Sequence, residues 1–201
     1  MLVTILITNY NYGKWIRRAI RSCRNQSMNP YEYEIIVVDD KSTDDSTHIL
    51  SQYIHCPNIT IIFNEHNVGL GKSCQTGIQR ALGKYIVRVD ADDYIHIDFL
   101  TILSCYATCN NSKAVACDYL EVDIDETILC RKSQKDYPIA CGILFRTDIL
   151  EEIGSYSDKR IHEDVDLLQR FQYKYTMDYI NIPLYRYFKH NESLSSSNIE
   201  V

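Results

Sequence analysis

The chain has 201 residues, of which 45% are hydrophobic and 24% charged, and its formal net charge is −6 at pH 7. That composition fits one globular domain and excludes a disordered or low-complexity chain. The acidic balance argues against a nucleic-acid-binding face, and no apolar run approaches the ~20 residues of a membrane helix, so neither nucleic acid nor a membrane segment of its own is expected.

Leu2 to Ile7 is an apolar run broken by Thr4, suited to a strand covered on both faces. The polar turn Thr8-Asn9-Tyr10-Asn11-Tyr12-Gly13 follows, then a helix with Trp15, Ile16, Ala19, Ile20 and Cys23 on one face, Trp15 being read as core. Asn29-Pro30 breaks the chain. Ile35 to Val38 is the second strand, ending at Asp39-Asp40. Ser42 is placed to cap a helix whose buried side is Ile49, Leu50, Tyr53 and Ile54. Ile59 to Phe63 is the third strand. The loop Asn67 to Gly69 opens a helix running to Leu82, which Gly83 ends, and Tyr85 to Val89 is the fourth strand.

Strands and helices alternate at the spacing of βαβ units, which predicts an α/β fold: a mainly parallel central sheet flanked by helices. Ligands of such sheets bind beyond the carboxyl ends of the strands. Four loops bring polar residues there: Thr8 to Asn11, Asp39-Asp40, Asn67 to Gly71 and Asp90-Ala91-Asp92-Asp93. The last holds three carboxylates in four positions. Like charges so close repel, so either a hard divalent cation bridged to phosphates offsets them or they form a solvated acidic turn.

The second half is less regular. Helices are expected over Asp98 to Cys109, Thr147 to Ile153 and Glu163 to Tyr175. Short strands are expected at Ala114 to Ala116, Thr127 to Cys130 and Met177 to Ile182. Residues 193–201, serine-rich, read as a tail or a linker to further domains. The eight cysteines contain no Cys-x-x-Cys pair, which counts against zinc, and Met1 leads into a strand with no signal-peptide pattern. Reduced, mostly buried thiols in a cytoplasmic protein are expected.

Five segments in order resemble family 2 glycosyltransferases of the GT-A (Rossmann-like) fold, which are typically inverting. They are Val3 to Asn11, Ile36 to Asp44, Asn67 through Ile86 leading to the Asp-x-Asp at Asp90 to Asp92, His162-Glu163-Asp164 with Arg170, and Tyr185-Arg186-Tyr187 with His190 and Ser193. Two departures stand out. Cys74 and Gln75 occupy positions where the family usually has Arg-Asn, leaving Lys72 or Arg88 to supply positive charge. Lys41 stands where a glycine is common.

The resemblance implies one GT-A domain over residues 1–192, with 1–95 binding the nucleotide sugar and 96–192 the acceptor. It implies attack of an acceptor hydroxyl on the anomeric carbon of a nucleotide sugar, in particular a UDP-sugar, with Mn²⁺ or Mg²⁺ as cofactor and a glycan or glycoconjugate as acceptor. Asp164 is then the general base, with Glu163 and Asp166 as rivals. Asp92 is the metal ligand, Asp93 either a second ligand or a helix cap, and His190 an additional ligand. Thr8, Asn9, Tyr10, Asp39, Asp40, Asn67, Lys72, Asp90 and Ala91 form the donor site, and Arg186 and Lys189 close over the diphosphate. Two other readings remain: a non-catalytic nucleotide- or glycan-binding module, and a sugar-nucleotide pyrophosphorylase. The second calls for a basic, glycine-rich loop after strand one, whereas Thr8 to Gly13 has one glycine and no cation before Lys14.

Overall fold

The structure, a computed structural model, describes residues 1–157 and 163–190. His162, Ser193 and the tail expected over 193–201 lie outside the described residues. The first half is built as its alternation predicts. Strands β1 (Val3–Asn9), β2 (Tyr33–Asp39), β3 (Ile59–Phe63) and β4 (Tyr85–Arg88) are parallel neighbours in the order β3-β2-β1-β4. They are joined through α1 (Gly13–Arg24), α2 (Ser46–Ser51) and α3 (Leu70–Ile78). The two-residue period sorts β1 and β2 between two core layers. Val3, Ile5, Ile7, Tyr33, Ile35 and Val37 pack with Ile16 and Ile20 of α1. Leu6, Ile36 and Val38 pack with Cys74 and Ile78 of α3. Each fully buried aliphatic side chain contributes about 1.5–3 kcal/mol.

Two local expectations need correction. Helix α3 stops at Ile78, short of Leu82, and Gly83 is not its cap. Gly83 is required by close approach instead: a Cβ there would lie 2.4 Å from Thr4 N and 2.6 Å from Tyr85 O. The same corner holds a buried polar knot, in which Thr4 Oγ1 donates to Glu34 Oε1 (2.7 Å), Leu82 N donates to that same oxygen (2.7 Å) and Gly83 N donates to Thr4 Oγ1 (3.0 Å). Gly83→Ala therefore drives a methyl into the backbone of β1 and β4. It is expected to destabilise by about 3 kcal/mol and to lower Tm by roughly 6–12 °C, read by thermal denaturation. An unchanged Tm would show that the corner yields freely.

Ser42 does not cap α2, whose cap position is Asp45. The carboxylate of Asp39 takes both Ser42 donors, Oγ at 2.6 Å and N at 3.0 Å, and holds the residue at the end of β2. Lys41 adopts φ 65°, the left-handed conformation in which a Cβ is disfavoured by roughly 1–2 kcal/mol.

The second half contributes β5 (Tyr94–Ile95), α4 (Phe99–Asn110), β6 (Ala114–Val122), β7 (Ile128–Lys132), β8 (Ile143–Arg146), α5 (Thr147–Glu152), α6 (Glu163–Lys174) and β9 (Asp178–Phe188). The sheet continues β4-β8-β6-β9-β5, with β7 on β6. β8 runs antiparallel to β4 and β6, whereas β9 runs parallel to β6. β5 and β8 were not anticipated, being short, and β6 extends well past Ala116. β9 runs beyond Ile182 because it tolerates Pro183 at an irregularity opposite Asp118, where the lost N–H removes a ladder bond without ending the strand.

All eight cysteines are free. Burial pushes the thiols of Cys23, Cys74 and Cys117 up to about 12, while Cys105 and Cys109 are exposed on α4. Among the described residues no helix is long and apolar enough to cross a membrane.

Candidate functional site

The register of β1 on β2 sets Asn9 beside Asp39. Asn9 Nδ2 donates to Asp39 Oδ1 at 2.7 Å, and with the two Ser42 donors this carboxylate is engaged on both oxygens and 1% exposed. Asp40, 4% exposed, accepts from Asn64 Nδ2 (2.8 Å), Val68 N (2.9 Å) and Gly69 N (2.8 Å). Asn67 Nδ2 donates to Asp40 O at 3.3 Å. Asp40 thereby draws the loop after β3 over the end of β2. Thr8 is half-buried at the same rim, Tyr10 is exposed and Lys72 is exposed on α3. Both aspartates hold loops together, a role that the sequence alone did not separate from ligand contact.

After β4 the chain turns through Asp90-Ala91-Asp92-Asp93. Ala91 is buried, and a larger side chain there would displace the packing beneath the turn. Asp93, 2% exposed, does not cap α4, whose cap position is Asp98. Its Oδ1 accepts from Phe188 N (2.8 Å) and its Oδ2 from the Tyr185 hydroxyl (2.7 Å), which pins the end of β9 to the turn. Burial raises the Asp93 carboxyl well above its ordinary range, and Asp92 and Asp90 add to this. Asp90 is also raised, first by burial, against the pull of Arg88. Ligand atoms of Asp90, Asp93 and Cys141 lie within 4.8 Å of one another.

Asp92 points elsewhere. Its Oδ2 lies 2.9 Å from His190 Nε2, while its backbone oxygen accepts from Arg18 Nη2 at 2.7 Å. The imidazole is held among rings: stacked on Phe188 at 4.8 Å, with Trp15 at 5.6 Å and Tyr12 edge-on at 6.2 Å. Trp15 is thus half-buried at the rim of the site rather than in the main core. An aspartate oxygen and an imidazole nitrogen brought together from chain segments far apart form a donor set suited to a first-row divalent ion such as Mn²⁺.

The largest surprise is Arg88. It is 7% exposed on β4, on the face it shares with Leu6 and Ile86. Nη1 and Nη2 donate to Asp164 Oδ1 and Oδ2 at 2.6 and 3.1 Å. Nε lies 2.9 Å from Asp90 Oδ1, as an ion pair without hydrogen-bond alignment. Nη1 also donates to the Tyr156 hydroxyl at 3.3 Å. Burial opposes the Arg88 charge, but Asp164 and Asp90 outweigh it and the guanidinium is held above its ordinary range. Arg88 thereby joins the acidic turn after β4 to the start of α6. The rivals to Asp164 are differently placed: Glu163 is buried, and Asp166 pairs with Arg170 at 2.8 Å. Arg186 donates to the Pro183 carbonyl at 2.8 Å, and Lys189 lies over the Tyr187 ring.

Fold and rim together define an α/β domain whose polar residues gather at the carboxyl ends of parallel strands. The chain matches the model of glycosyl transferase family 2 over residues 4–157, and it belongs to that family. It is 43% identical over 97 residues to a poly(ribitol-phosphate) beta-glucosyltransferase of Bacillus spizizenii, a match covering 47% of this chain and 15% of the relative. The solved structure of Staphylococcus aureus TarS 1-349 in complex with UDP-GlcNAc superposes with a TM-score of 0.84 at 20% identity, over 100% of this chain and 62% of that one. The Pyrobaculum calidifontis mannosyltransferase PcManGT in complex with GDP-Man and Mn²⁺ gives a TM-score of 0.72 at 16% identity, over 92% and 56%. These likenesses establish the GT-A fold. The chain spans less than two thirds of each of these relatives.

Proposed function

We propose that this domain transfers a sugar from a nucleotide sugar, preferentially a UDP-sugar, to a hydroxyl of a glycan or glycoconjugate with inversion at the anomeric carbon. The observation that carries the reading is the joining of the Asp90 turn to Asp164 through Arg88, beside the Asp92–His190 pair. In this reading Thr8, Asn9, Tyr10 and Asn67 face the base and ribose from loops that Asp39 and Asp40 hold in place, and Lys72, exposed on α3, supplies positive charge for the diphosphate. Asp92 and His190 would hold a divalent ion, Mn²⁺ suiting the nitrogen donor better than Mg²⁺, with Asp93 bracing the turn through Phe188 and Tyr185. When bound, such an ion stabilises the negative charge that develops on the departing diphosphate. Asp164 accepts the proton of the acceptor hydroxyl as its oxygen bonds the anomeric carbon and the bond to the diphosphate breaks. Relatives supply the donor class: UDP-GlcNAc is bound by TarS and GDP-Man with Mn²⁺ by PcManGT.

The test is thermal stability with UDP, with and without Mn²⁺, followed by a panel of UDP-, GDP- and TDP-sugars. UDP at a hundred times Kd is expected to stabilise by about 2.7 kcal/mol, a rise of roughly 5–10 °C that needs Mn²⁺. No nucleotide response would favour a non-catalytic module, and turnover of UTP with a sugar phosphate would favour a pyrophosphorylase.

A further inference from the structure

A small cavity lies under β4, lined by Leu6, Ile78, Ile86, Ile143, Arg88 and Tyr156. A cation among aliphatic side chains is costly unless its donors are met. Here Asp164 accepts from Nη1 and Nη2, while Asp90 balances the charge beside Nε without an aligned hydrogen bond, the two carboxylates coming from different parts of the chain. Asp90 stands on the turn after β4, and Asp164 stands in the first turn of α6. The planar fork takes Asp164 on one side, oxygen for nitrogen, and Asp90 at Nε. A fork of this kind fixes orientation as well as distance, which a lysine ammonium does not.

We propose that Arg88 is the positioning residue of this site, its guanidinium setting the Asp164 carboxylate at a fixed place relative to the Asp90 turn so that base and donor meet in line. This rests on Asp164 being the base, as argued under Proposed function. Placing reacting groups correctly is worth up to about 100-fold per ångström of error. The competing use of the same cation, direct grip of the donor diphosphate, gives a different pattern of loss.

The experiment compares Arg88→Met, Arg88→Lys, Asp164→Asn and the Arg88→Met/Asp164→Asn double variant. Two quantities are read: the Mn²⁺-dependent thermal shift with UDP, and kcat and KM for UDP release from the UDP-sugar panel. Arg88→Met is expected to lower kcat about 10–100-fold with UDP affinity within twofold of wild type. Arg88→Lys, which keeps the charge and loses the fork, should fall between. The double variant should be no slower than Asp164→Asn, because Arg88 acts through that carboxylate. Wild-type kcat in Arg88→Met, loss of UDP binding with it, or losses that multiply in the double variant overturn the proposal. If Arg88→Met does not fold, Arg88→Lys decides alone: wild-type kcat overturns the role, and a slowed kcat with intact UDP binding supports it. Asp164→Asn at the wild-type rate would sink the base assignment itself. A slow Asp164→Asn beside a normal Arg88→Lys sinks only the role of Arg88.

Discussion

Asp164→Asn is expected to abolish most sugar transfer while leaving UDP binding in place. A general base of this kind contributes on the order of 10²–10⁴ in rate, so kcat should fall by that factor with little change in donor KM. Asparagine keeps the shape, but its amide can accept from only one of the two Arg88 N–H groups now received by Asp164. Losing one charged hydrogen bond costs about 1.5–3 kcal/mol, at the low end here because the Asp164 side chain is 25% exposed. The variant should therefore melt a few degrees lower yet still show the UDP-dependent shift. Transfer at the wild-type rate would remove Asp164 from the chemistry.

Asp92→Ala is the second large effect. The turn itself should survive, because Arg18 grips the backbone oxygen of Asp92 and not its carboxylate, and Asp93 anchors the turn to Phe188 and Tyr185. What disappears is the oxygen facing His190 Nε2. UDP affinity measured with Mn²⁺ is expected to weaken at least 10–100-fold, about 1.4–2.8 kcal/mol, while affinity without metal stays as in wild type. EDTA should bring the wild-type protein to the level of the variant, and His190→Ala should move in the same direction. Equal UDP response in Asp92→Ala and wild type, with Mn²⁺ present, would mean that this pair holds no metal.

Much of the architecture was legible because β1, β2, β3 and β4 are runs of β-branched and aliphatic residues, separated by amphipathic helices. Periodicity reports burial, and in this half burial follows local order. It was less legible where polar residues sit inside. Ser42 fits a helix cap by spacing, but a carboxylate three residues earlier competes for its donors. Gly83 resembles a helix stop, but its need is space against Thr4 and Tyr85, set by two strands in contact. β9 looked finished at Pro183 because the cost of a missing N–H depends on what lies opposite.

The site divides in the same way. The carboxylates at Asp39, Asp40, Asp90, Asp92 and Asp93 were visible as clusters at strand ends, yet their neighbours were not. Arg88 did carry a signal: a cation within an apolar strand covered on both faces must be paired. Nothing in the order of residues says that its partner is Asp164. Cys141 and Tyr156 gave no signal, being ordinary core residues by type, and Tyr185 was visible only as part of the closing segment, not as a partner of Asp93.

The sequence by itself determined the parallel βαβ framework, the edge at which polar loops collect and the family, since each follows from short-range periodicity or ordered motifs. Only the tertiary structure decided which carboxylates support loops and which remain turned toward partners such as His190 and Arg88. Hydrogen bonds and ion pairs act over a few ångströms, and residues 88, 164 and 190 come within that range only once the chain has folded back across its own sheet.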